Sequence, residues 1–266
     1  MFRINHKAFK LPLVILGAII FSTVGIKATD VIMTMNNPTA SCEAGSVLVN
    51  VSGRAICFDQ YEASTNSNCY FKDPKSNQET QNNILQKNCE PTSRPGFLPW
   101  RFVTYAEAKQ LCARVGKRLP SNAEWYQIAL GQKDDSGCAL KSNIANPQET
   151  GNSACVTATD IYDMAGNVWE WMDETVVNGE FNKRSLPNSG YVSLLDGSGV
   201  VLETVTDIKD NSFGKDYAWT TNDGVRGMLR GGFYGSGEDG GIFSQNLAVT
   251  LDFNTNAVGF RCLKDL

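Results

Sequence analysis

The stretch "DMAGNVWEW" (163–171) places Asn167, Trp169, Glu170 and Trp171 within five positions, directly after Gly166. Taken alone it reads as a strand with a buried tryptophan and an exposed acid. Upstream of it lie two helices. Thr104 and Glu107 stand three apart, as a capping box requires. Ala108, Leu111, Cys112 and Val115 then form one apolar stripe, and Gly116 ends the turn. "KRLP" (117–120) is extended, because a residue before proline avoids the helical region. Ser121 and Glu124 repeat the capping box, with Trp125, Ile128 and Ala129 facing inward and Gly131 as the stop.

Further out the pattern thins. "SVLVNVSGRAICFDQYEAS" (46–64) alternates apolar and polar residues and turns at Ser52-Gly53, which predicts a hairpin. Residues 65–99 are rich in Asn, Gln and Lys and framed by Cys69 and Cys89, a stapled loop. Beyond residue 131 periodicity nearly disappears. "VSLLDGSGVVLE" (192–203) suggests one hairpin, and the rest of 178–226 reads as loops.

The N-terminus is organised differently. Arg3, Lys7 and Lys10 precede an apolar run from Leu11 to Ile26, and Ala28 follows. Basic, apolar, small is the order of a secretory signal, and an uncleaved anchor is the alternative. We therefore expect an exported chain with residues 1–28 as signal or anchor, 29–44 as lead-in and 45–266 as the domain. Eight cysteines follow the apolar run: Cys42, Cys57, Cys69, Cys89, Cys112, Cys138, Cys155 and Cys262. In an exported chain they read as up to four disulfides, with 105 pairings open. Nearness along the chain suggests Cys42–Cys57, Cys69–Cys89 and Cys138–Cys155.

Residues 1–28 hold four of the 24 basic residues and none of the 28 acidic ones, so the remainder carries a net charge of −8. No basic patch is left to track a phosphate backbone, so nucleic acid is not an expected partner. The one histidine is His6. Beyond the signal, no histidine-ligated iron or zinc and no Ser–His or Cys–His pair is available.

Four segments carry a resemblance: "VTYAEAKQLCARVGKRLPSNAEWYQIALG" (103–131), "DIYDMAGNVWEWMDE" (160–174), "RGGFYGSG" (230–237) and "VGFRC" (258–262). Their order resembles that of the formylglycine-generating enzymes, the sulfatase-modifying-factor family, over roughly residues 45–263. "FDQYEAS" (58–64) is similar to the family's early strand. The resemblance implies a single compact α+β domain with little regular secondary structure, related to C-type lectin domains. It also implies a Cys112–Cys262 bond. It further implies structural calcium at Asn167 and Glu170 with the carbonyls of Ala165 and Val168, and a second site near Asn143 and Ile144. Carboxylate, amide and carbonyl oxygens suit that ion. Trp169 and Trp171 are then packing residues.

The family's oxidase members use two closely spaced cysteines to hold copper(I), which requires soft thiolates. The corresponding "GEDGGIFSQNLAVTLDFNTNAVGFRC" (237–262) contains only Cys262, and Ser244, Gln245 and Asn246 are hard, neutral groups. No catalytic residue is assigned, and neither copper nor iron is expected. Two functions remain: a non-catalytic module binding an extracytoplasmic protein or glycan, or a formylglycine-generating-type oxidoreductase with an unrecognised active site. For the first, Trp219, Phe233, Tyr234, Glu238 and Asp239 are candidate contacts, since aromatics beside carboxylates suit sugar or peptide. A membrane is expected only through an uncleaved N-terminal segment.

Overall fold

The first hairpin follows from its alternation. β1 (Ser46–Val51) pairs antiparallel with β2 (Arg54–Asp59), Val51 opposite Arg54. The two-residue turn has Ser52 at φ 51° and Gly53 at φ 80°, the left-handed pair that matches strand twist. This computed structural model describes residues 41–132, 137–140, 145–207 and 210–266. The expected signal or anchor lies outside those residues. Among the described residues no helix is long and apolar enough to cross a membrane.

The stapled segment 65–99 is more than a loop. β3 (Ala63–Thr65) pairs with β4 (Pro91–Ser93), and between them runs the helix α1 (Asn77–Ile84), capped by Ser76. "NQETQNNI" has no apolar stripe to announce it, because its inward positions are Thr80 and Asn83. Both are buried by bonding backbone: Thr80 Oγ1 donates to Arg101 O, and the Asn83 amide closes on both backbone groups of Phe71. The helices α2 (Tyr105–Arg114) and α3 (Asn122–Ala129) each form the expected reciprocal capping box.

The larger sheet begins where periodicity fades. Its strands are β5 (Trp169–Val177), β6 (Glu180–Phe181), β7 (Arg184–Ser185), β8 (Gly190–Leu195), β9 (Val201–Val205), β10 (Tyr217–Trp219), β11 (Val225–Arg230), β12 (Gln245–Asn246) and β13 (Val258–Gly259). They lie in the order β7-β6-β5-β11-β12-β10-β8-β9, with β13 on β5. The hairpin expected at 192–203 is β8–β9, and the rest of 178–226, expected as loops, also contributes the short strands β6, β7 and β10. β5 gave no alternating signal because Trp169, Glu170, Trp171 and Met172 are all buried: both faces of the strand are covered. The last strand, β14 (Leu263–Asp265), returns to β2 and closes a three-stranded sheet, β1-β2-β14.

Four disulfides bind these parts: Cys42–Cys57, Cys69–Cys89, Cys138–Cys155 and Cys112–Cys262. The last joins α2 to the chain's end across 150 residues. No cysteine is free. Few helices, short strands and a stapled core make this an α+β domain, held by two apolar clusters. One is centred on Trp125, Met164 and Met228, the other on Trp100, Trp171 and Phe260.

Candidate functional site

Gly166 begins the turn that feeds β5, at φ 81°, and a Cβ there would stand 2.4 Å from Ala139 O. Asn167 follows at φ 56°, a conformation asparagine tolerates. Its side chain is committed at both ends. Oδ1 accepts from Gln148 N at 2.8 Å, and Nδ2 donates to Glu62 Oε2 at 2.5 Å. Val168 N donates to the other oxygen of Glu62 at 3.1 Å. The sequence had not pointed to Glu62, which is fully buried.

Glu170 lies inside, not at the surface as the isolated strand reading had it. Its carboxylate takes Arg261 Nε at 2.8 Å from each oxygen, Arg261 Nη2 at 2.6 Å and Trp125 Nε1 at 2.8 Å. Arg261 also donates to the carbonyls of Tyr162 and Asp59. Burial alone would lower its pKa, yet the charge and bonds of Glu170 hold it above the ordinary value. Asp163, 2% exposed, accepts from Gly151 N at 2.6 Å. Burial pushes its carboxyl up to about 6, and burial with the neighbouring charges of Asp163 and Glu170 pushes Glu62 well above the carboxylate range.

The geometry shows what the side chains expected to hold calcium already bond. The Asn167 oxygen is occupied by a backbone N–H, and Glu170 is already neutralised by a guanidinium. A cation on Glu170 would have to displace Arg261. Among the described residues no three acidic, cysteine or histidine side chains converge to hold a metal ion. The side chains of Asn167 and Glu170 are thus bonded within the protein. Asn143 and Ile144 lie outside the described residues.

The other side of the same turn opens on a cleft of about 500 Å³. Asn167 O accepts Tyr234 N at 3.0 Å, which ties the cleft wall to the buried acids. Trp169, Trp219, Phe233, Tyr234 and Phe253 wall it, with Asn246, Thr255 and Asn256 as the polar members. The Trp169 and Trp219 rings meet edge to face at 5.7 Å. No ionisable carboxylate, ammonium or guanidinium lines it. Three candidates, Trp219, Phe233 and Tyr234, are brought together here. Glu238 and Asp239 are not: they sit on the short turn Gly237–Asp239 outside the cleft, and Glu238 pairs with Lys215 at 3.3 Å. The reading of Trp171 as packing agrees with its full burial and its bond to Val103 O at 2.9 Å. Trp169 instead lines the cleft, and Asn246, Phe253, Thr255 and Asn256, in irregular sequence, carried no signal at all.

Comparison with known proteins places this geometry. The model of the Sulfatase-modifying factor enzyme 1-like domain matches residues 142–266. Residues 45–141, which the resemblance also took in, lie outside that range. A curated relative, serine/threonine-protein kinase Pkn1 of Chlamydia trachomatis serovar L2, is 33% identical over 90 residues, 30% of this chain and 15% of that protein. Among solved structures, PvdO from Pseudomonas aeruginosa is 14% identical with a TM-score of 0.46, covering 80% of this chain and 81% of that one. The Major Tropism Determinant M1 variant is 15% identical with a TM-score of 0.47, covering 86% of this chain and 54% of that one. The chain thus spans about half the length of that structure and a small part of the curated relative. Residues 142–266, which contain the whole cleft wall together with Asp163, Glu170 and Arg261, are the part of the chain that is similar to the Sulfatase-modifying factor enzyme 1-like domain.

Proposed function

We propose that this chain is an exported, disulfide-stapled binding module without catalytic activity, and that it holds an extracytoplasmic ligand in the cleft between β5, β10 and the 253–257 segment. The observation that carries the reading is the lining itself. Five aromatic rings and three neutral polar side chains can bind, and among the described residues that line the cleft there is no carboxylate, imidazole, ammonium or thiol to activate a hydroxyl. The buried carboxyls of Glu62 and Glu170 are sealed behind the wall and bonded within the protein.

The oxidoreductase alternative needs thiolates to hold copper(I). All eight cysteines are consumed in disulfides, which leaves that chemistry without its ligands. Export agrees with this cysteine usage, since four disulfides persist in an oxidising compartment.

The test is an array of glycans and peptides probed with the mature protein and with Phe233→Ala and Tyr234→Ala variants. A ligand held by the parent and lost by both variants is the expected result. Oxygen consumption with a cysteine-containing peptide and added copper would overturn the reading.

A further inference from the structure

Five tryptophans lie in the described residues, and three of them place their indole N–H on a protein acceptor. Trp100 donates to Thr80 Oγ1 at 3.2 Å, Trp125 to Glu170 Oε2 at 2.8 Å and Trp171 to Val103 O at 2.9 Å. Trp169 and Trp219 have no acceptor among the described residues, and these are the two that line the cleft. Trp169 is only 5% exposed, yet its nitrogen is not among the sealed orphan atoms. The little of Trp169 that solvent reaches includes the N–H. A tryptophan this deeply buried ordinarily finds a partner for that group.

The polar residues beside it are biased the same way. Asn256 Oδ1 is taken by Tyr234 Oη at 2.5 Å, and Asn246 Oδ1 by Ala248 N at 3.2 Å. The Nδ2 group of each has no acceptor among the described residues. Thr255 Oγ1 accepts Ala257 N at 3.2 Å and keeps its proton to give. Each side-chain amide oxygen of the cleft already holds one internal bond, whereas the amide and indole N–H donors hold none among the described residues.

We propose that the cleft binds a neutral 2-acetamido pyranose glycan, its acetamido carbonyl on the Trp169 N–H and its sugar face against the aromatic wall. The proposal rests on the cleft being the binding site. A donor-rich, uncharged site wants an uncharged ligand that accepts more than it must donate. A peptide backbone brings one N–H for every carbonyl, and here those N–H groups would be desolvated without partners. A sugar hydroxyl can accept from Asn246 or Asn256 and turn its own proton to water. The acetamido group adds a carbonyl oxygen, a methyl that packs on indole and a single N–H, for which Tyr234 Oη keeps its lone pairs.

The experiment titrates triacetylchitotriose, cellotriose and acetyl-trialanine amide into the mature protein by calorimetry, with the indole N–H signals followed by NMR. Trp169→Phe assigns its signal, and Asn256→Ala tests a donor on a partly exposed position. We expect triacetylchitotriose to bind at least about tenfold more tightly than cellotriose, to move the Trp169 N–H signal, and to weaken about tenfold in Asn256→Ala. With no charge in the site, salt should leave its affinity unchanged. Equal affinity for cellotriose, or an unmoved Trp169 signal, overturns the acetamido assignment. Binding of the peptide alone at the cleft overturns the sugar class while leaving a binding module. If no probe binds, and no array ligand depends on Phe233 or Tyr234, both readings fall.

Discussion

Asp163 offers the sharpest test of the buried acids. Its carboxyl stands at about 6 against an ordinary 3.8, with burial the first cause. At about 1.4 kcal/mol for each tenfold change in proton affinity, the difference is worth about 3 kcal/mol. The folded state holds this proton more tightly than the unfolded one. The stabilisation is therefore complete below the unfolded value and lost as pH rises through about 6. Glu62, also raised by burial, acts in the same direction. Glu124 acts oppositely: against burial, Arg118 and Ser121 hold it down at about 2, so its contribution is intact above its ordinary value of 4.5. Stability should then peak between the two, and since Asp163 recovers about 1.4 kcal/mol between about pH 7.5 and about pH 5, Tm should rise by on the order of 3–6 °C over that range. Asp163→Asn removes the charge, keeps an oxygen for Gly151 N and suits the positive φ of 58°. It should raise Tm at the upper pH and flatten the profile. Calorimetric scans of both proteins across pH, in chelator and again in calcium, decide the matter. A parent less stable at the acidic end, or a variant that loses stability at neutral pH only when calcium is present, would refute the reasoning. The second result would mean that a cation, not a proton, balances these acids.

Four further variants probe the frame. Arg261→Met strands the Glu170 carboxylate and the carbonyls of Tyr162 and Asp59, and should cost about 3–5 kcal/mol in urea unfolding. A loss under about 1 kcal/mol would show that the pair is not what holds β5 to the chain's end. Removing both Cys112 and Cys262 opens a 150-residue closure, worth about 5 kcal/mol in the chain-entropy model, whereas removing Cys138 and Cys155 opens one of 17, about 3 kcal/mol. The order of the two losses is the measurement. Gly166→Ala meets Ala139 O at 2.4 Å from an unfavourable φ, and should cost about 2–3 kcal/mol by thermal unfolding.

What could be read from the chain and what could not divide along physical lines. The capping boxes at Thr104 and Ser121 and the Ser52-Gly53 turn are local: each is complete within four residues, and each is where it was expected. α1 escaped because its buried face is polar, satisfied by backbone that only the tertiary fold brings near. The nine-stranded sheet escaped because two-sided burial erases alternation in β5, and because strands of two or three residues carry no period. Glu170 misled for a related reason. A glutamate between tryptophans reads as exposed or as a metal ligand, and nothing nearby reveals that a guanidinium 91 residues away lies against it. The aromatic candidates Trp219, Phe233 and Tyr234 were legible as residue types. Their separation from Glu238 and Asp239 was a matter of which way one short turn faces.

The opening segment can now be understood from its neighbours in space. β5 is covered on both sides, but the two covers differ in kind. Glu170 meets Arg261 and Trp125, a sealed set of charge-assisted bonds that ties the strand to α3 and to the terminal segment. Trp169 meets Trp219 and an open cleft in which its own N–H is unanswered. Asn167 joins the two, bonded by its side chain to buried Glu62 and by its carbonyl to Tyr234 in the cleft wall. The frame is thus complete without any group from the cleft side. The residues facing the cleft, Phe233, Asn246, Phe253 and Asn256 among them, come from irregular segments or strand ends, half-buried against the core on one side and open to the cleft on the other. The cleft presents an aromatic surface with hydrogen-bond donors still to place.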